Sequence, residues 1–256
     1  MLKIDLNCDL GESFGVYTLG MDEDVLPLIT SANIACGFHA SDPVTMAKTV
    51  RLAADRGVSI GAHPGFPDLL GFGRRNMSVS PSEAKAYIQY QIGALSAFAK
   101  SCGVRLSHVK PHGALYNMAG KDMRLAEAIC EGIAELDESL ILLALSGSAM
   151  MEAAKRKGLR AAREVFADRA YEPDGSLVAR TKPGAVIADE NEAAFRVIRM
   201  IQEKKVRAVD GTDLDMEADS VCIHGDSIHA LEFAKKLRAA FSAAGIEAAP
   251  LKDIVL

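Results

Sequence analysis

The feature that most constrains this chain is an alternation of two patterns. Short apolar runs at residues 2–8, 32–36, 58–62, 106–109, 140–145, 160–166 and 220–223 read as strands. Longer stretches with helical spacing separate them. Asp42-Pro43 is a cap followed by a first-turn proline, with Val44, Ala47, Val50 and Ala54 recurring behind it. Ser80-Pro81-Ser82-Glu83 is a capping box, followed by Ala84, Ile88, Gln91, Leu95 and Phe98 on one face. Further helical patterns cover 122–136, 148–157, 191–204 and 228–244. Strand and helix alternating in this way imply parallel strands joined by right-handed crossovers. The stretch 167–189 breaks the rhythm. It holds Pro173-Asp174-Gly175 and reads as a turn or short hairpin covering a site.

Where the polar residues fall decides between an open sheet and a closed one. The first strand ends in Asn7, Asp9 and Glu12, the second in Cys36-Gly37-Phe38-His39, and the third in His63-Pro64-Gly65. The fourth ends in Lys110-Pro111-His112-Gly113, the sixth leads to Glu164 and Asp168-Arg169, and the seventh ends in His224-Gly225-Asp226. Parallel α/β folds build their sites at this edge. Seven strands about 4.8 Å apart in an open sheet span roughly 30 Å. Groups from the first, second, third, fourth and seventh strands cannot then meet one small molecule, whereas in a barrel they can. The expectation is one α/β domain over residues 1–256, a distorted (β/α)7-type barrel. A chain of 256 residues suits it.

Composition narrows the partners. Trp is absent, aromatics are 5% and the net charge is −5, which argues against nucleic acid and against an anionic membrane. No run of roughly 18 apolar residues is present to span a bilayer. Five widely spaced cysteines with no CxxC read as reduced thiols of a cytoplasmic protein. A homo-oligomer is compatible with all of this.

Each candidate has a plainer reading beside it. An isolated histidine after a strand is more often structural than functional, but four of the six lie in that position here. Asp9 and Glu12 could only cap the next segment, and Lys110 could be a surface lysine. Lys110 ends an apolar strand, however, where desolvation tunes an amine. The loop Gly65–Arg75 carries two arginines, and Arg75 is a candidate anion ligand. Ser146-Gly147-Ser148 opens a helix and is a weaker candidate, through Ser146, for a phosphate. No Walker A motif is present.

Several blocks carry a resemblance: DLNCDLGESFG, SANIACGFHASDP, GAHPGFPDLLGFGRR, KPHGALYN, EVFADRAY and CIHGD. Together they resemble the LamB/YcsF family almost end to end. One departure is Ser41, where glycine is usual. The resemblance implies a barrel related to the glycoside hydrolase and polysaccharide deacetylase barrels. It also implies ATP-dependent opening of 5-oxo-L-proline to L-glutamate, with 5-oxoprolinase subunits B and C as partners. The residues it carries over are Asp9, Glu12, His39, His63, Lys110 and His112. Two other readings stand beside it. One is a metal-dependent amidohydrolase or deacetylase acting without ATP, with Asp9, His39 and His63 as divalent-ion ligands. The other is a lactam-binding subunit without catalysis of its own.

Overall fold

The computed structural model describes residues 2–223 and 230–255. Its strands are Leu2–Leu10 (β1), Ser31–Ala35 (β2), Ser59–His63 (β3), His108–Val109 (β4), Ile141–Leu145 (β5), Ala161–Phe166 (β6), Lys205–Arg207 (β7), Asp213–Asp215 (β8), Ser220–Ile223 (β9) and Ile246–Ala248 (β10). The helices are Asp22–Val25 (α1), Pro43–Asp55 (α2), Pro81–Ser101 (α3), Gly113–Ala119 (α4), Met123–Leu136 (α5), Ala149–Lys157 (α6), Glu190–Gln202 (α7) and Ala230–Ala243 (α8). β1, β2, β3, β4, β5, β6 and β9 pair in that order, all parallel, and β9 returns to β1. The sheet is therefore a closed seven-stranded barrel, as the alternation predicts. Closure leaves no free edge within it. β10 adds a parallel strand outside the ring, with Leu2 opposite Ile246.

Local chemistry sets the helix starts. The Asp42 carboxylate accepts from the backbone N–H groups of Val44 and Thr45 and also from Gly15, tying the loop after β1 to α2. The Ser80–Glu83 capping box forms in both directions at the start of α3. Apolar residues on the outer faces of the strands, such as Ile4, Leu6, Ile34 and Val109, pack with α3, α5 and the other helices into one main core. A small second cluster joins Ile141 and Leu143 of β5, Ala162 of β6 and Leu251 near the C-terminal end.

Elements the periodicity did not predict are short. β7 and β8 form an antiparallel hairpin of three-residue strands, and α1, α4 and β10 are similarly brief. So few residues hold too little periodic signal. The stretch 167–189 does fold back on itself, through bridges Arg169↔Val186 and Tyr171↔Leu177.

Ser41 sits at φ 74°, in the left-handed region. Its Cβ makes that conformation cost about 1 kcal/mol, which explains why glycine suits the position. Ser41→Gly is expected to raise stability by about 1 kcal/mol. A urea midpoint that stays level or drops would contradict this.

Candidate active site

Strand alternation lines the barrel interior with polar groups in layers. On β1, Asp5, Asn7 and Asp9 point inward while Ile4, Leu6, Cys8 and Leu10 face the helices. In the lowest layer the Asp5 carboxylate accepts from the Thr30 and Ser31 hydroxyls, each at 2.6 Å, and from the Ser220 hydroxyl. Burial outweighs these hydrogen bonds and raises the Asp5 pKa to about 6. In the middle layer, Asn33 Nδ2 donates to Asn7 Oδ1 at 2.7 Å and to Asp9 Oδ1 at 2.9 Å. His108 Nε2 lies 2.8 Å from Asn33 Oδ1, and burial lowers its pKa to about 3. A neutral His108 therefore orients Asn33, and Asn33 orients Asp9.

The upper layer holds the charged centre. Lys110 Nζ lies 2.8 Å from Asp9 Oδ1, 2.9 Å from Glu164 Oε1 and 3.0 Å from Cys222 Sγ. Burial opposes the lysine charge, but the carboxylates overcome it and hold the Lys110 pKa well above the ordinary value. Burial likewise keeps Cys222 a thiol. Glu164 Oε1 has no hydrogen-bond partner despite the short ion pair, so charge alone binds it to Lys110. Its other oxygen accepts from Tyr116 Oη at 2.6 Å. Burial and the Glu164 charge keep Tyr116 a phenol.

A second group stands beside the first. His39 and His112 stack face to face, centroids 3.6 Å apart, and His63 meets both edge-on. His39 Nε2 is 3.2 Å from Glu12 Oε1, and His63 Nε2 is 3.4 Å from Asp9 Oδ2. Burial pushes His39 and His112 well below the ordinary imidazole pKa, so both are neutral at pH 7. Helix α3 helps to fix this arrangement. The Gln91 side-chain amide accepts from Gly65 N–H and donates to Gly65 C=O, both at 2.9 Å, clamping the loop after β3. Gly73, at φ 61°, brings that loop onto His39 and His112 so closely that a Cβ would stand 2.6 Å from His39 Cβ.

The six residues carried over by resemblance thus meet at one end of the barrel. Asp9, His63, Lys110 and His112 border a cavity of about 1210 Å³. Ser146 borders the same cavity. Arg75 does not reach it: its guanidinium pairs with Asp68, at 3.0 and 3.1 Å from Nε, and its side chain is 66% exposed. Arg75 therefore clips the loop, and Arg74 borders the cavity instead. The ion-ligand grouping also differs from the Asp9, His39 and His63 set expected from sequence. The groups that converge are Glu12, His39, His63 and His112; Asp9 Oδ1 pairs with Lys110, while its Oδ2 lies 3.4 Å from His63 Nε2. Sequence reasoning left Tyr116, Asn33 and His108 out and mentioned Glu164 only as a strand-end residue. The polar alternation Asp5, Asn7, Asp9 and Ser31, Asn33 was the available sign of a polar interior. His224, Gly225 and Asp226 lie outside the described residues.

The LamB/YcsF family pattern matches residues 4–255. This chain belongs to the LamB/YcsF family. The 5-oxoprolinase A subunit of Clostridium beijerinckii is 64% identical over 254 residues, covering 99% of this chain and 100% of that protein. The crystal structure of a lactam utilization protein from Thermus thermophilus is 48% identical, with a TM-score of 0.91 over 97% of this chain and 99% of that one. A family 4 carbohydrate esterase from Streptomyces lividans, solved with acetate, covers 99% of this chain and 95% of its own at a TM-score of 0.51 and 9% identity. That likeness is one of fold alone, a barrel of the deacetylase type as the resemblance implied. In this LamB/YcsF chain the five cysteines are free, and among the described residues no helix is long and apolar enough to cross a membrane.

Proposed function

We propose that this LamB/YcsF chain is the A component of a cytoplasmic 5-oxoprolinase. Together with subunits B and C it opens 5-oxo-L-proline to L-glutamate while ATP becomes ADP and phosphate. The observation that carries the substrate is the likeness, over the full length of both chains, to the A component of a bacterial 5-oxoprolinase. The site supplies chemistry that suits it.

A lactam carbonyl is a poor electrophile. Phosphorylation of its oxygen by ATP makes C5 electrophilic. Water then adds to C5, the C5–N bond breaks as nitrogen takes a proton, and a second water releases phosphate from the acyl phosphate. Asp9 is the base for the attacking water, paired with the Lys110 ammonium. Lys110 faces the negative charge that develops on oxygen. Glu164 and Tyr116 position Lys110 from behind. Arg74, on the cavity border, is suited to the substrate carboxylate.

The test is glutamate release from 5-oxo-L-proline, with and without ATP, by this chain alone and with subunits B and C. Release only with ATP and partners supports the reading. No release under any condition, with all subunits folded, overturns it. Within that assay Glu164→Gln is expected to lower kcat about tenfold to a hundredfold with KM little changed, as loss of an orienting partner does. A wild-type kcat would remove Glu164 from this role.

A further inference from the structure

Two ring nitrogens on the cavity border, one from His63 and one from His112, face each other. His63 Nδ1 lies 2.7 Å from the Lys110 carbonyl oxygen, and His112 Nε2 lies 2.9 Å from the Phe72 carbonyl oxygen. A carbonyl only accepts, so in a neutral ring each of these outer nitrogens carries the proton. The inner nitrogens, His63 Nε2 and His112 Nδ1, are then bare. They stand 2.9 Å apart. Two lone pairs do not meet at that distance unless a positive centre lies beside them.

The surroundings are arranged for such a centre. Glu12 Oε1 lies 3.6 Å from His112 Nδ1, and Asp9 Oδ2 lies 3.4 Å from His63 Nε2, so carboxylate oxygens approach from two sides. The ligand atoms of Glu12, His39, His63 and His112 all fall within 4.8 Å of one another. Two nitrogens 2.9 Å apart suit one ion held at about 2.1 Å from each, at roughly a right angle. Outer nitrogens donating to backbone carbonyls are also the arrangement that fixes ligand tautomers in metal sites. His39 fits as a support: its Nδ1 has no hydrogen-bond partner, which leaves its proton on Nε2, 3.2 Å from Glu12 Oε1.

We infer that Glu12, His63 and His112 bind one divalent transition-metal ion of the zinc class, with His39 donating to Glu12 behind them. Imidazole with a carboxylate selects borderline ions of this kind over magnesium or calcium. His63 and His112 open onto the cavity, so the ion's remaining position faces the substrate space. Its use, as a Lewis acid for the lactam carbonyl, rests on the ring-opening reading; the binding does not.

The experiment is done on the full chain with neither substrate nor ATP present. Protein stripped with chelator and dialysed is titrated with zinc chloride by calorimetry and with cobalt chloride by visible absorption. The expected result is one ion per chain, with a zinc Kd of about a micromolar or tighter. Glu12→Gln, His63→Asn and His112→Asn should each weaken it at least about tenfold, with near-ultraviolet circular dichroism showing which variants keep their fold. No zinc binding below about a millimolar, or binding unchanged in the folded variants, overturns the site and leaves a shared proton between the two rings. That failure would not touch the 5-oxoprolinase assignment, and failure of the glutamate assay would not touch the ion site.

Discussion

Asp9→Asn is expected to lower glutamate release by about a thousandfold, the loss typical of a removed general base, while leaving the barrel folded. Asparagine has the same shape, and its Oδ1 can still accept from Asn33 Nδ2, which lies 2.9 Å from Asp9 Oδ1. What it lacks is the charge that faces Lys110 at 2.8 Å. Lys110→Ala should abolish turnover too, but through a second effect as well. It leaves Asp9 and Glu164 buried near each other without the ammonium between them, a change that costs about 3–5 kcal/mol in comparable buried pairs. Lys110→Arg keeps a positive charge and separates the two effects: a folded protein with little turnover is expected. The measurements are steady-state glutamate release in the reconstituted complex and urea denaturation of each variant. Wild-type rates in Asp9→Asn would remove Asp9 as the base.

Gly61→Ala is expected to destabilise the chain by more than about 4 kcal/mol, the range reserved for a grossly overfilled core. Gly61 on β3 lies opposite His108 on β4, and a Cβ there would overlap the His108 ring. The ring has nowhere to go. His108 is fully buried, with Ser107 Oγ 2.6 Å from Nδ1 and Asn33 Oδ1 2.8 Å from Nε2. Any shift of the ring also disturbs Asn33 and, through it, Asp9. If enough protein folds to assay, its turnover should fall as well. A thermal midpoint within a few degrees of wild type would show that the interior can give way, against a close-packed barrel.

The glycine also shows where sequence reasoning reaches its limit. Gly61 lies inside an apolar run, SIGAH, and nothing local in it reports the imidazole of His108, 47 residues further along. The barrel was legible for a different reason. Seven strand-like runs and the helices between them are local patterns, and burial of their apolar faces permits few arrangements. Strand-end residues such as Asp9, His63 and Lys110 were legible because parallel topology brings those ends together. Glu164 was legible only as such a strand-end residue and Tyr116 not at all, because the part each plays depends on which residue it touches. In the sequence Tyr116 appears only as one letter of the block KPHGALYN. Only its 2.6 Å contact with Glu164 marks it as part of the charged centre.

The arginine loop divides in the same way. Two adjacent arginines, Arg74 and Arg75, have the same chemistry in the sequence, and either suits an anion. Successive side chains along an irregular loop point in different directions. The fold turns Arg75 to Asp68 and Arg74 to the cavity. The histidines repeat the lesson. Their positions after β2, β3 and β4 are written in the chain, but their separations are not. The strand alternation, the helix caps and the set of residues at the strand ends were determined by the sequence itself, because each depends on neighbours within a few residues. The Asp9–Lys110–Glu164 centre, the close approach of the His63 and His112 ring nitrogens and the tight fit at Gly61 were decided only by tertiary structure. They depend on the closure of the barrel, which sets distances of a few ångströms between residues that the chain holds far apart.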